Sequence, residues 1–173
     1  MNNLIAIVDV NDKVIGFDDK LEVHRKGLLH RAFSIFVFNC KGEMLLQRRA
    51  LDKYHSAGLW TNTCCSHLPK GIEMEPYVHQ RLAEEMGFDC DLRFVKTFHY
   101  KIDFQDGMIE NEIDHIFLGT CDAIPKPNPH EVCQWRWVAL EDVCSDVKVN
   151  PDVYTYWFRF IIENHLDAIK KLS

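Results

Sequence analysis

The sequence predicts a single α+β domain over residues 1–173. Runs of β-branched and aromatic residues, separated by turn residues, recur along the chain and indicate strands and hairpins. Two helical patterns occur at separate chain positions, which indicates a mixed α+β arrangement. Hydrophobic residues make up 47% of the chain, and its 173 residues are enough to bury one core.

The chain is predicted to begin with strands. Residues 4–10, LIAIVDV, predict a strand, and NDKVIG at 11–16 predicts a turn into a second one. Residues 30–39, HRAFSIFVFN, are rich in β-branched and aromatic residues, and the turn CKGE connects them to MLLQRRA at 44–50. Those two segments form a predicted hairpin.

A helix is predicted over residues 75–87, EPYVHQRLAEEMG. Proline lies early in it and Gly87 stands at its end, where helices favour these residues. Val78, Leu82 and Met86 fall on one face, as in an amphipathic helix.

The second half of the chain is predicted to hold another hairpin, a strand and a last helix. LRFVKTFHYKID at 92–103 and NEIDHIFLGTCD at 111–122 flank FQDGM and predict the hairpin. PKPNPHEV reads as a loop, and CQWRWVAL at 133–140 as a strand. The last helix is predicted over 150–171, with Asn150 as its cap and Pro151 in its first position.

Composition argues against several classes of function. The formal net charge of −6 argues against nucleic-acid binding, although a locally basic site can still hold a small anionic substrate. There is no apolar run of transmembrane length, and Asp9 comes too early for a secretory signal, so we expect a cytoplasmic protein. The seven cysteines are an odd number, which favours reduced thiols. The sequence carries no prediction of oligomeric state.

The stretch NTCCSHLPKG, residues 62–71, contains adjacent cysteines followed by a histidine. No C-x-x-C spacing is present, which excludes the usual redox and zinc-ribbon patterns. On an extended segment Cys64 and Cys65 face opposite ways. We predict Cys64 to be a buried, inert thiol, and spacing alone leaves Cys65 undecided. The same inert fate is predicted for the remaining five cysteines: Cys40, Cys90, Cys121, Cys133 and Cys144.

Histidines and carboxylates form a second group of candidates. Glu110 and Glu112 lie two apart, so on a strand they share one face. For that pair alone a solvated charged strand is the favoured interpretation. With His24, His30 and His67 they could instead form a site for Zn²⁺, Mn²⁺ or Mg²⁺.

The helix ending RLAEEMG echoes the second half of the Nudix signature, G-x5-E-x7-R-E-U-x-E-E-x-G-U. Glu84, Glu85 and Gly87 match that signature. The first glycine is replaced by Ser66, the first glutamate by Ile72, and the Arg-Glu pair by Gln80-Arg81. The scaffold therefore looks Nudix-like while the hydrolytic metal cluster looks lost. The alternative for Arg81 and Glu85 is a simple surface ion pair.

The chain resembles type I isopentenyl diphosphate isomerases, which are divalent-metal-dependent and built on a Nudix-like mixed sheet flanked by helices. The matching motifs occur in order from about Leu4 to the last helix: LLHRAFS, LLQRRAL-x-K, GLWTNTCCSH, ENEI and a late tryptophan. This resemblance implies isomerisation of isopentenyl diphosphate to dimethylallyl diphosphate in isoprenoid biosynthesis.

The resemblance also implies roles for individual residues. The catalytic groups would be Cys65, Glu112, Tyr100 and Trp157, and the diphosphate would be gripped by Lys20, Arg49, Lys53 and Arg81. A Zn²⁺ or Mn²⁺ site would consist of His24, His30, His67, Glu110 and Glu112. Mg²⁺ would link the substrate diphosphate to Glu85.

Such a reaction needs an acid to protonate the terminal alkene carbon and a base to remove a proton nearer the diphosphate. We hypothesise that Glu112, through Tyr100, protonates and that Cys65 deprotonates, with the reverse assignment open. Trp157 would offer a π face to the tertiary carbocation, the alternative being a core tryptophan packed with Tyr154 and Phe158. A Nudix hydrolase of a nucleoside diphosphate compound, and a non-catalytic module that binds metal or prenyl diphosphate, remain alternative functions.

Overall fold

A computed structural model describes residues 3–53, 55–104 and 107–170. The strands are Leu4–Val8 (β1), Val14–Asp19 (β2), His30–Phe38 (β3), Glu43–Arg49 (β4), Trp60–Thr61 (β5), Cys64–His67 (β6), Leu92–Asp103 (β7), Ile109–Thr120 (β8) and Val132–Ala139 (β9). The α-helices are Lys20–Lys26 (α1), Met74–Met86 (α2), Leu140–Val149 (α3), Tyr156–Asn164 (α4) and Leu166–Ile169 (α5), and Pro151–Val153 form a 3₁₀ turn.

Strand β3 is the centre of one mixed sheet. On one edge it pairs in parallel with β8, so that His30 lies beside Glu112 and Ser34 beside Ile116. On its other edge it pairs antiparallel with β1, β6 and β4 in succession. The register with β6 sets Ser34 opposite Cys65. Strands β6 and β8 therefore lie on either side of β3.

The face of β3 and β8 that points toward α4 changes character along the strands. At one end it carries buried polar side chains, and further along it carries apolar ones. The polar positions are His30, Ser34, Glu110, Glu112 and Asp114, and the apolar ones are Phe36, Phe38, Ile116 and Leu118. The apolar end packs with helices α3 and α4 in one core cluster. The side chains at the polar end are therefore available to line a binding site.

The opposite face of β3 packs against α2. Phe33, Ile35 and Val37 join Val78 and Leu82 in a second buried cluster, which confirms the predicted apolar face of the helix. Gly87 ends α2 with φ at +74°, and a Cβ there would come within 2.2 Å of the Lys126 carbonyl oxygen. The matched signature glycine is thus required by a close backbone approach.

Most predicted elements are confirmed, and several short ones were missed. The strands near the N-terminus, both hairpins and α2 lie where the sequence indicated, although Gln105 and Asp106 of the FQDGM turn lie outside the described residues. Helices α1 and α3 and the strands β5 and β6 were not predicted. Leu140 begins α3 and does not end the preceding strand.

The prediction of one continuous last helix was wrong. Pro151 begins only a 3₁₀ turn, and Asn150 makes no side-chain cap. Tyr154 is extended and bridges to Trp60, and the Thr155 N–H donates to the Trp60 carbonyl at 2.9 Å. This pairing with β5 interrupts the helix, which starts again at Tyr156. Lys171, the last residue of the predicted helix, lies outside the described residues.

The burial predicted for the cysteines holds for Cys64 but not for the others. Cys40 and Cys133 are exposed, and Cys90, Cys121 and Cys144 are half-buried. Cys40 lies in the β3–β4 turn, and Cys133 lies on β9, which pairs with β4. Turn and outer-strand positions face solvent, whereas Cys64 lies beneath α2 in the core.

Candidate active site

A cavity of about 170 Å³ opens at the polar end of β3 and β8. Its walls include eleven of the thirteen side chains that the sequence singled out: Lys20, Arg49, Lys53, Cys65, His67, Arg81, Glu85, Tyr100, Glu110, Glu112 and Trp157. The other two, His24 and His30, are fully buried beside it. The structure thus brings together residues that lie far apart in the sequence.

Three imidazoles and two carboxylates meet behind this cavity. One ligand atom from each of His24, His30, His67, Glu110 and Glu112 lies within 4.8 Å of all the others. The ring centroids of the three histidines are 4.7 to 4.9 Å apart. Nitrogen and carboxylate ligands at this spacing suit a divalent cation.

Backbone carbonyls fix the orientation of two of these imidazoles. Nδ1 of His24 lies 2.5 Å from the Lys20 carbonyl oxygen, and Nδ1 of His30 lies 2.8 Å from that of Leu28. The Nε2 atoms therefore face the cluster, which is the usual arrangement of metal-binding histidines. Within the described residues, His30 Nε2 and Glu110 Oε2 are buried and make only imidazole–carboxylate contacts of 3.1 to 3.9 Å, none with good hydrogen-bond geometry. A cation between them would satisfy both, so the residues fit a metal ion.

Glu110 and Glu112 are buried yet ionised. Burial raises the pKa of Glu110, but the hydrogen bond and charge of His24 outweigh burial and lower it to about 2. Burial and the charge of Glu110 raise the pKa of Glu112, and hydrogen bonds from His30 and His67 bring it below its usual value. His67 Nε2 lies 2.7 Å from Glu112 Oε1.

Tyr100 makes the second contact to Glu112. Its hydroxyl donates to Glu112 Oε2 at 2.5 Å, and the side chain is 3% exposed. Burial, followed by the charge of Glu112, raises the pKa of Tyr100 well above its usual value. The phenol therefore stays protonated and can only donate to the carboxylate near neutral pH.

Cys65 carries its thiol into the same cavity from β6. Burial raises its pKa to about 12, although the charge of Arg49 acts in the opposite direction. Cys64, its neighbour, points into the core instead. The alternation predicted for the pair is confirmed, and Cys65 is a protonated thiol that faces the cavity.

A cationic wall stands at the α2 side of the cavity. Arg81 Nη2 donates to Glu85 Oε1 at 2.5 Å, and Gln47 Nε2 donates to Glu85 Oε2 at 2.9 Å. The Arg81 and Glu85 side chains are only 17% and 7% exposed. The interpretation of this pair as a simple surface ion pair is therefore wrong. Glu131 contacts both Lys53 and Arg81. Positive charge at this wall favours an anionic ligand.

Trp157 reaches the cavity from the first turn of α4. It is 4% exposed and packs in the same cluster as Tyr154 and Phe158, yet its ring also lines the cavity. The Arg49 guanidinium lies 5.3 Å from its ring centroid. Trp157 is therefore a core residue that also borders the cavity, and its contact with a carbocation stays a prediction.

The cavity also includes polar residues that the sequence did not single out. They are Ser34, His55, Asp114 and Glu131. Ser34 Oγ donates to Asp114 Oδ2 at 2.7 Å. Asp114 follows Glu112 at a spacing of two, so the strand period that linked Glu110 to Glu112 could have found it. His55 lies in a loop, where no periodicity marks it.

Comparison with known proteins now identifies the family. A NUDIX domain model matches residues 28–158. Isopentenyl-diphosphate Delta-isomerase 2 of Photorhabdus laumondii subsp. laumondii is 49% identical over 162 residues, which cover 94% of this chain and 92% of that protein. The chain belongs to the isopentenyl-diphosphate Delta-isomerase family. A second member, from Serratia proteamaculans, is 43% identical and covers 95% of this chain and 92% of its own length.

Solved structures confirm the NUDIX fold of this family member. DR0079 from Deinococcus radiodurans superposes with a TM-score of 0.78 at 16% identity, covering 92% of this chain and 97% of that one. A MutT protein from Methanosarcina mazei Go1 superposes with a TM-score of 0.66 at 20% identity, and the match covers 80% of this chain and 94% of that one. Among the described residues, no helix is long and apolar enough to cross a membrane.

The thiols of this isopentenyl-diphosphate Delta-isomerase family member should differ sharply in reactivity. Only the thiolate reacts, and a pKa of about 12 keeps Cys65 protonated until the pH approaches that value. Exposed Cys133 should be alkylated first at pH values near 8, and Cys40 more slowly because its hydrogen bond with Asp122 raises its pKa. Cys64 and Cys65 should react last. Mass spectrometry after timed iodoacetamide treatment measures this order, and labelling of Cys65 as fast as Cys133 would contradict it.

Proposed function

We propose that this enzyme converts isopentenyl diphosphate to dimethylallyl diphosphate by protonation and deprotonation through a tertiary carbocation. One observation carries the proposal. A protonated thiol, Cys65, and an ionised carboxylate, Glu112, enter one cavity from strands on either side of β3. An acid and a base in one enclosed cavity are what a shift of a carbon–carbon double bond requires.

The protonation states favour Cys65 as the acid in this direction. Its proton forms a new C–H bond with the electron pair of the terminal alkene, and the positive charge falls on the tertiary carbon. The C–H bond nearer the diphosphate then breaks, its electron pair forms the new double bond, and Glu112 takes the proton. The cycle closes after product leaves, when the Cys65 thiolate regains a proton from water and the Glu112 carboxyl releases its proton to water. This assignment reverses the one hypothesised from the sequence, because the thiol pKa is raised and the carboxylate pKa lowered.

Tyr100 and Trp157 assist from fixed positions. Tyr100 holds one oxygen of Glu112 through its hydrogen bond, so the carboxylate presents a defined lone pair. Trp157 offers its ring to the carbocation, a contact worth about 2 kcal/mol when water is excluded. Burial of both side chains keeps water away from the cation, which water would otherwise quench.

The diphosphate is proposed to bind at the cationic wall. Lys53 and Arg81 belong to this wall, and Lys20 and Arg49 also line the cavity. Burial lowers the pKa of Lys20, although the charge of Glu110 opposes this. An anionic substrate would favour the charged state of this lysine and would replace Glu131 as the partner of Lys53 and Arg81. These residues would hold the tail so that the alkene lies between acid and base.

Two metal ions are proposed. Zn²⁺ or Mn²⁺ would be held by His24, His30, His67, Glu110 and Glu112, and Mg²⁺ by Glu85 together with the substrate diphosphate. When bound, the ions supply positive charge that keeps the carboxylates ionised and neutralises the diphosphate. We propose a cytoplasmic location for the single domain, because Cys65 must remain a free thiol and a reducing compartment protects it. The substrate is a small molecule, and no nucleic-acid partner is proposed.

Hydrolysis of a nucleoside diphosphate compound is the less favoured function. Ile72 stands where the signature has its first glutamate, and it is 45% exposed. Glu84 is also on the solvent side, with a side chain 44% exposed and paired with Arg81. Glu85 is the one glutamate of that helix on the cavity wall, so the multi-carboxylate cluster of a hydrolase is not assembled there.

Proton and phosphorus NMR on one sample test the proposed reaction. Isopentenyl diphosphate, Mg²⁺ and the purified protein are mixed in D₂O. We expect dimethylallyl diphosphate with deuterium in a methyl group and with its diphosphate intact. Free phosphate without isomer would support the hydrolase instead. Binding without any turnover, in Mg²⁺ together with Zn²⁺ or Mn²⁺, would support a non-catalytic binding module.

The metal cluster has its own test. Glu110→Gln should lower the metal content of the purified protein, because a neutral amide replaces the charged oxygen that faces three imidazoles. Elemental analysis after dialysis measures the loss. Glu84→Gln, on the exposed side of α2, is the matched control and should retain the metal. An unchanged stoichiometry in Glu110→Gln would show that the ligand assignment is wrong.

A further inference from the structure

His55 lies in the loop between β4 and β5, outside the set of five clustered ligands. Arg49 Nη2 donates to its backbone carbonyl at 3.3 Å, and the next residue, Ser56, adopts φ +50°. A non-glycine residue in that region costs energy, and such strain persists where the surroundings hold it. The His55 side chain is only 8% exposed. The loop thus turns an imidazole inward, onto the cavity wall.

The His55 ring contacts both the metal cluster and the aromatic wall. Its Nε2 lies 3.5 Å from Glu110 Oε1. Its ring meets Trp157 edge-on, with centroids 5.8 Å apart, and lies nearly parallel to Phe104 at 6.2 Å. The Arg49 guanidinium, which holds the His55 backbone, also lies over the face of the Trp157 ring.

The two oxygens of Glu110 have different neighbours. Oε2 faces His24, His30 and His67 at 3.1, 3.7 and 3.9 Å. Oε1 faces His55. One oxygen is thus directed at the cluster centre and the other at His55, the usual division for a metal ligand carboxylate with an outer hydrogen-bond donor.

His55 lies too far out to be a sixth ligand. Its ring centroid is 6.3 Å from that of His24, whereas the three clustered rings are within 4.9 Å of one another. The imidazole therefore contacts the Glu110 carboxylate and the Trp157 indole ring from outside the ligand cluster.

We propose that His55 is a positioning residue that orients Glu110 toward the metal through Nε2 and braces Trp157 with its ring. The inference rests on the metal cluster of the proposed function. The His55 side chain would thus have two separable functions. Its N–H donor would orient Glu110 and its ring would support Trp157, and different substitutions remove these one at a time.

The test uses Zn²⁺ alone, titrated against a competing coloured chelator. His55→Phe keeps the ring and removes the donor. His55→Gln removes the ring but keeps an N–H donor at about the position of the histidine Nε2. His55→Asn also has an N–H donor, but its side chain is too short for that donor to reach Glu110. We expect Zn²⁺ affinity to fall about 10- to 100-fold in the Phe and Asn variants and to be retained in Gln. At saturating Zn²⁺, turnover should fall more in Gln than in Phe, by about threefold to tenfold, because only Gln lacks the aromatic support of Trp157.

Three outcomes overturn the inference. His55→Phe and His55→Asn could bind Zn²⁺ as tightly as the wild type, which would separate His55 from the cluster. All three variants could lose affinity equally with a matching drop in melting temperature, which a purely structural role predicts. Wild type and Glu110→Gln could bind Zn²⁺ equally weakly, in which case the metal cluster itself fails and this inference with it. The Asn–Gln pair differs by one methylene, so the comparison holds even if His55→Phe does not fold.

Discussion

Cys65→Ala is expected to reduce isomerisation at least 10²- to 10⁴-fold, the usual contribution of a positioned acid or base, while the metal content stays unchanged. The thiol lines the cavity with its pKa raised to about 12 by burial, so it holds a proton at neutral pH. Alanine leaves no group on β6 to donate that proton. Initial rates by proton NMR and elemental analysis of the same preparation measure the two effects separately.

Cys133→Ala is the matched control for this experiment. Cys133 is exposed on β9 and outside the cavity, so its removal should leave turnover and stability close to wild type. Near-normal turnover in Cys65→Ala would remove the thiol from the mechanism. A loss of turnover that parallels a loss of bound metal would instead assign Cys65 an indirect effect on the cluster.

Glu112→Gln is expected to reduce turnover to a similar or greater extent and to lower the metal content as well. Glu112 accepts from Tyr100 and faces His67, so one carboxylate belongs both to the proposed proton-transfer pair and to the proposed metal cluster. The neutral amide removes the base and one ligand charge together. Adding excess Zn²⁺ or Mn²⁺ should restore bound metal without restoring the rate.

Tyr100→Phe separates the two losses in the Glu112 experiment. It keeps the carboxylate and the aromatic ring but removes the hydroxyl that donates to Glu112 Oε2. Metal content should therefore be retained, and the rate should fall less than in Glu112→Gln.

Full rescue of the turnover of Glu112→Gln by excess metal would contradict a direct proton-transfer role for this carboxylate.

Only part of the proposed metal cluster could be anticipated from a local rule. Glu110 and Glu112 are two apart on a strand, and the strand period alone puts both on one face. That rule does not say that His30 pairs beside Glu112, because parallel pairing of β3 with β8 joins segments about eighty residues apart. The resemblance to a known family supplied this long-range information.

The missed elements are those with weak or very short patterns. Helix α1 has seven residues, too few to show a helical period, although Asp19 caps its first turn and Gly27 ends it in the left-handed region. Helix α3 follows β9 with no turn residue between them, so the sequence predicts a strand that continues through Leu140. Each of these elements is fixed by tertiary packing more than by local propensity.

His55 shows a further limit of reasoning from sequence. Nothing in a loop sequence indicates that one histidine will turn inward toward a carboxylate on a distant strand. Only the fold reveals that Arg49 holds its backbone and that Trp157 receives its ring. Loop residues of this kind become visible as site residues once the scaffold is known.

The five proposed metal ligands come from α1, β3, β6 and β8, and this origin has a consequence for the amount of protein in the cell. During synthesis the three histidines emerge long before the two glutamates, so tight metal binding must wait until β8 has paired with β3. Binding then favours the folded chain by mass action, by about 4 kcal/mol when free metal exceeds its dissociation constant a thousandfold. A cell starved of that metal would hold fewer copies of the enzyme as well as less active ones, because proteases remove chains that unfold more often.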